Sequence, residues 1–113
     1  MSKESRLLLE DMLEAAQRIA AAAGGVSADA LADDRLLVDA VLYNFIVLGE
    51  AARRLPDELT SKAQEVPWRA IVAMRNVIAH AYDSVSLETV ADTINVKVPA
   101  LIRELERLLQ ELE

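Results

Sequence analysis

Apolar residues recur at helical spacing in four long stretches of the chain, separated by polar, glycine or proline breaks. From about Lys3 to Ala22, the residues Leu7, Leu8, Met12, Ala15, Ala16 and Ile19 form one stripe, with Glu4, Asp11, Glu14 and Arg18 outside it. Gly24 and Gly25 stop this helix, because paired glycines suit a helix end and lose much backbone entropy inside one. The polar segment SADALADD follows, and Asp33 or Asp34 can cap the second helix. That helix, about Arg35 to Leu55, is apolar nearly all round, which predicts the central and most buried element. Pro56 ends it, with Arg53 and Arg54 in the last turn, where cations meet the negative end of the helix dipole.

PDELTSKAQEV reads as a loop with a short helical turn. Pro67 opens the third helix, PWRAIVAMRNVIAHA, at a position where proline sacrifices no backbone bond. YDSV breaks that helix, and Ser86 caps a fourth with Glu88 in its first turn. The fourth helix runs to the C-terminus and contains Pro99. An interior proline costs about 3 kcal/mol and predicts a kink near Val96. Leu101, Leu105, Leu108, Leu109 and Leu112 make its apolar stripe. Short connections and the absence of repeats predict an all-α fold, an up-and-down helical bundle of four main helices plus a short helical turn, in one domain over residues 1–113.

Composition agrees: the chain is 53% hydrophobic with three glycines and three prolines, and its dominant residues are strong helix formers. The chain has no cysteine, which excludes structural disulfides, thiolate metal sites and a cysteine nucleophile. One histidine leaves little ligand supply for a transition metal, so no metal and no cofactor are expected. No glycine-rich phosphate loop occurs. The first residues alternate charge with hydrophobics, and no apolar run reaches the roughly 20 residues of a membrane span. A soluble, cytoplasmic protein without membrane contact is therefore expected. A net charge of −7 argues against strong non-specific nucleic-acid binding, yet permits a small basic patch.

The chemistry concentrates in MRNVIAHAYDSV, residues 74–85, which holds the lone histidine. His80 can exchange a proton near neutral pH, and Arg75 is a permanent cation whose planar fork matches phosphate oxygens. Asn76 adds an amide and Tyr82 a hydroxyl. Such groups suit phosphodiester cleavage without a metal: one moves a proton on the attacking 2′-hydroxyl or the leaving 5′-oxygen, and the cation stabilises phosphoryl charge. On a straight helix, residues five apart are rotated by about 140°. Arg75 and His80 can converge only where the helix frays at its end near Ala81, or where a second subunit brings two copies of the motif together. The residues equally permit a bland reading, in which His80 caps the helix, Arg75 pairs with a surface carboxylate and Tyr82 seals the core edge with a wet hydroxyl.

Gly49-Glu50 sits inside the second helix, where glycine costs about 1 kcal/mol relative to alanine. Either Glu50 supports the site by orienting Arg75 or His80, or Gly49 allows close helix packing while Glu50 pairs with Arg53 or Arg54. Arg53, Arg54, Lys62, Arg69 and Arg75 cluster in the sequence, so a locally positive RNA-binding groove using Arg53, Arg54 and Arg69 is possible if the second and third helices border it. The opposing reading is that these are solvated charges paired with Asp57, Glu58 or Glu65. Trp68 beside Pro67 reads as a core or interface anchor.

The run Arg75 to Tyr82 resembles the R-x4-H-x-Y motif of the HEPN-domain HepT-like toxins, the DUF86 family. YNFIVLGEAARRLPDEL (43–59), VPWRAIVAMRN and VPALIREL are similar to further segments of that family, so the resemblance spans roughly residues 5 to 110. It implies an all-α HEPN bundle that dimerises with both motifs in a shared cleft. It further implies a metal-independent ribonuclease, the toxin of a toxin–antitoxin pair, acting on transfer RNA or messenger RNA. By the same resemblance Arg75 and His80 are catalytic and Asn76 supportive. The antitoxin is an MNT-type nucleotidyltransferase that can silence the toxin by AMPylation of Tyr82. Two rivals remain: a non-catalytic HEPN dimer that binds nucleotides or a partner, and a purely structural helical dimer.

Overall fold

The structure, a computed structural model, describes residues 1–111, and Leu112 of the expected final stripe lies outside the described residues. In chain order the helices are α1 (Lys3–Ala23), α2 (Ala28–Ala32), α3 (Arg35–Arg54), α4 (Asp57–Thr60), α5 (Trp68–His80), α6 (Leu87–Asp92) and α7 (Val98–Glu111). A 3-10 turn, Tyr82–Ser84, follows α5, and a π-helical turn, Thr93–Lys97, joins α6 to α7. Among the described residues there is no strand, so the all-α bundle is as the sequence predicts. No described helix is long and apolar enough to cross a membrane.

Local chemistry sets the helix ends. Ser2, Ser27, Asp34 and Ser86 each accept a hydrogen bond from a first-turn amide, satisfying a donor that the helix itself cannot. The segment expected to be only a polar lead-in winds into α2 instead, because Ser27 caps it and Leu31 is wholly buried. Pro67 stands one residue before α5 as its N-cap.

Packing runs in the order α5, α3, α1, α7: α3 contacts both α1 and α5, and α7 lies on α1. The core draws on Leu8, Leu9, Met12, Ala15, Ala16 and Ile19 of α1 and on Val38, Val41, Leu42, Phe45 and Leu48 of α3. One stripe expectation is corrected: Leu7 is 52% exposed, while Leu9 is fully buried. Leu7 is rotated by about 140° from Met12, outside the buried face, whereas Leu9 lies within it. The near-all-round apolarity of α3 also overstates its burial, since Leu36 and Tyr43 face solvent.

Pro99 disturbs the last helix where expected, and the disturbance takes the form of the π-turn. The Val98 amide reaches back five residues to the Thr93 carbonyl, and the wider turn makes room for a proline ring that would collide with the Asn95 carbonyl. Asn95, within this turn, accepts from the Gly25 amide at 2.7 Å and donates to the carbonyls of Val26 (2.8 Å) and Ala91 (2.9 Å). It thereby clamps the α1–α2 loop, in which Gly25 takes the left-handed conformation with φ +84°.

Of the α5 residues, Ile78 alone is fully buried. The helix docks on α3, and between it and the α6–α7 arm lies an open apolar groove of about 710 Å³, lined by Met74, Val77, Val85, Val96 and Leu101 among others. Trp68 is an anchor, as expected. Its indole N–H donates to the carbonyls of Thr60 (3.2 Å) and Ala63 (3.0 Å), tying α5 to the preceding loop.

Candidate active site

Two helices build the site, and a missing side chain lets them meet. A Cβ at Gly49 would overlap the Arg75 Cβ and come within 2.9 Å of its Cγ and 3.1 Å of the Ile71 carbonyl. Glycine is therefore what allows α5 to lay Arg75 directly on α3. The next residue, Glu50, then faces the guanidinium, with Arg75 Nη2 at 3.7 Å from Glu50 Oε2. Arg53, one turn on, donates to the same carboxylate at 2.6 Å. The glycine serves close packing and Glu50 pairs with Arg53, as one reading of the sequence had it, and the same carboxylate also lies beside Arg75.

The hydrogen bond from Arg53 holds the Glu50 carboxyl below its ordinary pKa. Burial opposes this, and the charges of Arg53, Arg75 and Arg54 reinforce it. Glu50 is thus a fixed anion that orients cations. The other side of the Arg75 guanidinium donates to Asn76 Oδ1 at 3.0 Å, while its Nε is buried without an acceptor.

The α5 helix stays wound through His80, and the Ala81 backbone N–H closes it by donating a hydrogen bond to the Val77 carbonyl at 2.9 Å. The fraying that would bring Arg75 and His80 together within one chain does not occur. Arg75 bonds to its neighbour Asn76, and no hydrogen bond or ion pair among the described residues joins either of them to His80. At 100° per residue, Arg69, Ala73, Asn76 and His80 fall on one stripe of α5, and all four are exposed. The long side chain of Arg75 reaches across to Asn76, and His80 stands one turn further along. The His80 imidazole makes no hydrogen bond or ion pair with any described residue, so it caps nothing and is open to a ligand.

Tyr82 lies just past the helix, half-buried against the core, and its hydroxyl donates to Asp39 Oδ1 on α3 at 2.8 Å. Arg35, one turn before Asp39, pairs with that carboxylate at 3.0 Å and places its guanidinium 5.3 Å from the centre of the Tyr82 ring. Burial first, then the hydrogen bond and charge of Asp39, push the Tyr82 pKa above its ordinary value, against a lowering pull from Arg35.

Of the proposed basic groove, Arg53 and Arg75 meet at Glu50, and Arg69 is exposed on the Asn76–His80 stripe. Arg54 turns the other way, to Glu4 on α1 at 3.6 Å. The partners of Arg53 and Arg54 are thus Glu50 and Glu4, rather than Asp57, Glu58 or Glu65. Sequence reasoning missed Asp39 and Arg35, although an i, i+4 charge pair inside the apolar run RLLVDAVL is a signal that both are held for a purpose. Among the described residues, no group of three or more His, Cys, Asp or Glu side chains gathers as metal ligands.

The chain is similar to known proteins. The family model described as ribonuclease HepT-like matches residues 12–108. A Methanocaldococcus jannaschii protein named "Putative RNase MJ0127" is 30% identical over 111 residues, covering 98% of this chain and 92% of the relative. A Caldanaerobacter subterraneus protein named "Putative RNase TTE0752" is 29% identical over 109 residues, covering 96% and 97%. One from Thermococcus cleftensis named "Probable ribonuclease HepT" is 27% identical over 108 residues, covering 96% and 98%. No solved structure matches the chain.

Proposed function

Because the chain belongs to the HepT-like ribonuclease family, we propose that it is a metal-independent RNA endonuclease, the toxin of a toxin–antitoxin pair. In this reading Arg75 and His80 are catalytic, Asn76 and Glu50 support them, and Arg53 and Arg69 steer the RNA backbone. The observation that carries the reading is the Arg75 guanidinium, held between Glu50 and Asn76 on the stripe that ends in an unpartnered His80.

The chemistry follows from those groups. The 2′-oxygen attacks the adjacent phosphorus, the bond from phosphorus to the 5′-oxygen breaks, and the products are a cyclic phosphate and a free 5′-hydroxyl. An imidazole takes the 2′-proton or supplies the 5′-proton. Arg75 stabilises the charge that builds on the phosphoryl oxygens. The chain has one histidine, and the reaction has two proton transfers, so a homodimer that contributes two His80 side chains suits it. The apolar groove beside α5, with Val77 at its lip, is a surface that a second copy can cover.

An MNT-type nucleotidyltransferase antitoxin is the proposed brake. In AMPylation the Tyr82 oxygen bonds to the α-phosphorus of ATP, pyrophosphate leaves, and the phenolic proton passes to the Asp39 carboxylate that already accepts it.

The test is cleavage of total transfer RNA in EDTA by wild type, His80→Ala and Arg75→Ala, each checked for matched stability. Cleavage by the wild type alone is expected. An inactive wild type would leave the non-catalytic binding module as the better account.

A further inference from the structure

The cleavage step uses none of the residues of one cluster. Asp39, Arg35 and Tyr82 join the start of α3 to the chain that emerges from α5. Tyr82 is half-buried, and its hydroxyl bond to Asp39 at 2.8 Å links residues 43 positions apart. Arg35 holds Asp39 in place at 3.0 Å, covers the tyrosine ring at 5.3 Å and reaches Asp83 at 3.6 Å. These three charges and one phenol tie the 3-10 turn Tyr82–Ser84 to α3.

His80 is the final residue of α5, two positions before Tyr82. The last turn of any helix lacks partners for its carbonyls and frays readily. Here Ile78 is the one fully buried residue that α5 contributes, and the C-terminal side chain, His80, is exposed and makes no hydrogen bond or ion pair with any described residue. Beyond His80 the Ala81 amide bonds back within α5 to Val77, and the nearest tie to another helix is the Tyr82–Asp39 bond.

We propose that Asp39 is a positioning residue for His80: by accepting the Tyr82 hydroxyl it pins the chain just past α5 and keeps the last turn wound, with the imidazole aimed along the Arg69–Asn76 stripe. This inference rests on the ribonuclease reading and adds residues to it. It also gives modification of Tyr82 a mechanical effect. A tyrosine substituted on its oxygen has no proton to donate, and a phosphodiester there would place a second anion beside Asp39. The pin opens, and His80 loses its aim.

The test uses the full chain in four forms: Tyr82→Phe, Asp39→Ala, Asp39→Asn and the Tyr82→Phe/Asp39→Ala double variant. The first readout is RNA cleavage in EDTA. Tyr82→Phe and Asp39→Ala are each expected to lower kcat about tenfold, the population factor that a hydrogen bond to a charged group commonly supplies, with KM little changed. Asp39→Asn, whose amide oxygen can still accept from tyrosine, should keep kcat within about threefold of wild type, since the acceptor is retained. The double variant should lose no more than either single one, because both remove the same bond. The second readout is amide hydrogen exchange over residues 77–82, which should quicken in Tyr82→Phe and Asp39→Ala but not in Asp39→Asn.

Wild-type kcat in both single variants, or multiplied losses in the double, overturns the proposal even if the ribonuclease reading stands. If the wild type cleaves nothing, that reading fails, and the exchange measurement still decides whether the bond pins the helix end. Unchanged exchange in both single variants overturns the pin by itself.

Discussion

Replacing Gly49 with alanine adds one methyl group where α3 and α5 touch. That carbon would overlap the Arg75 Cβ and lie 2.9 Å from its Cγ, whereas carbon atoms rest at about 3.5–4.0 Å. The Ile71 carbonyl, 3.1 Å away, is backbone and cannot rotate aside. Relief therefore requires α5 to back away from α3 by something near 1 Å, carrying Arg75 with it. Overpacking of this kind costs about 1–3 kcal/mol, and exchanging glycine for alanine inside a helix returns about 1 kcal/mol. The net loss of stability should be small, between about 0 and 2 kcal/mol. Activity should respond far more, because a misplacement of about 1 Å at a catalytic group can cost roughly 100-fold in rate. Urea unfolding and RNA cleavage in EDTA on the same preparation separate the two effects. A Gly49→Ala protein that is more stable than wild type and cleaves at the wild-type rate would refute the argument that glycine exists there to seat Arg75.

Ile78→Ala should cost about 2–5 kcal/mol in urea unfolding, since it empties the one buried position of α5. Asn95→Ala should cost about 0.5–1.5 kcal/mol by the same measurement, because it removes the bonds to the Gly25 amide and the Val26 carbonyl, which water can then partly replace. Glu50 has a lowered pKa in the folded chain, chiefly from its Arg53 bond, so its contribution to stability is present above the usual carboxylate range and is lost as pH falls through the lowered value. Urea midpoints measured from neutral to acid pH should therefore fall more steeply for wild type than for Glu50→Gln at the acid end, and parallel curves would contradict the pairing. Tyr82 has a raised pKa, so in a Tyr43→Phe background the phenolate absorbance should appear at higher pH than for free tyrosine, and Asp39→Asn should bring it back down.

Much of the architecture was legible because its causes are local. A serine or aspartate before an apolar run caps a helix wherever the rest of the chain goes, so Asp34 and Ser86 could be named from neighbouring residues alone. The position of the disturbance before Pro99 is equally local, but its form is not. Whether a helix kinks or widens depends on what the displaced carbonyls meet, and here Asn95 finds the α1–α2 loop. The choice of Leu7 over Leu9 failed because three consecutive leucines, 7 to 9, point in different directions round the helix, and the neighbouring helices decide which of them are covered. In the candidate site the motif residues could be read directly. The bridge from Glu50 to Arg75 was visible only as an alternative, and the Asp39 partner of Tyr82 not at all, since both join helices distant in sequence.

The Asn95 clamp bears on the order in which the molecule assembles. It joins positions 70 residues apart, whereas Gly49 meets Arg75 within a much shorter stretch of chain. Closing the longer loop costs more chain entropy, and contacts of that separation tend to be won late. During synthesis from the N-terminus, the α3–α5 pair that holds the candidate site can form before residue 95 has been added. The candidate face is then built early and secured late. Removing the Asn95 side chain should hardly slow folding, and its destabilisation should appear almost entirely as faster unfolding.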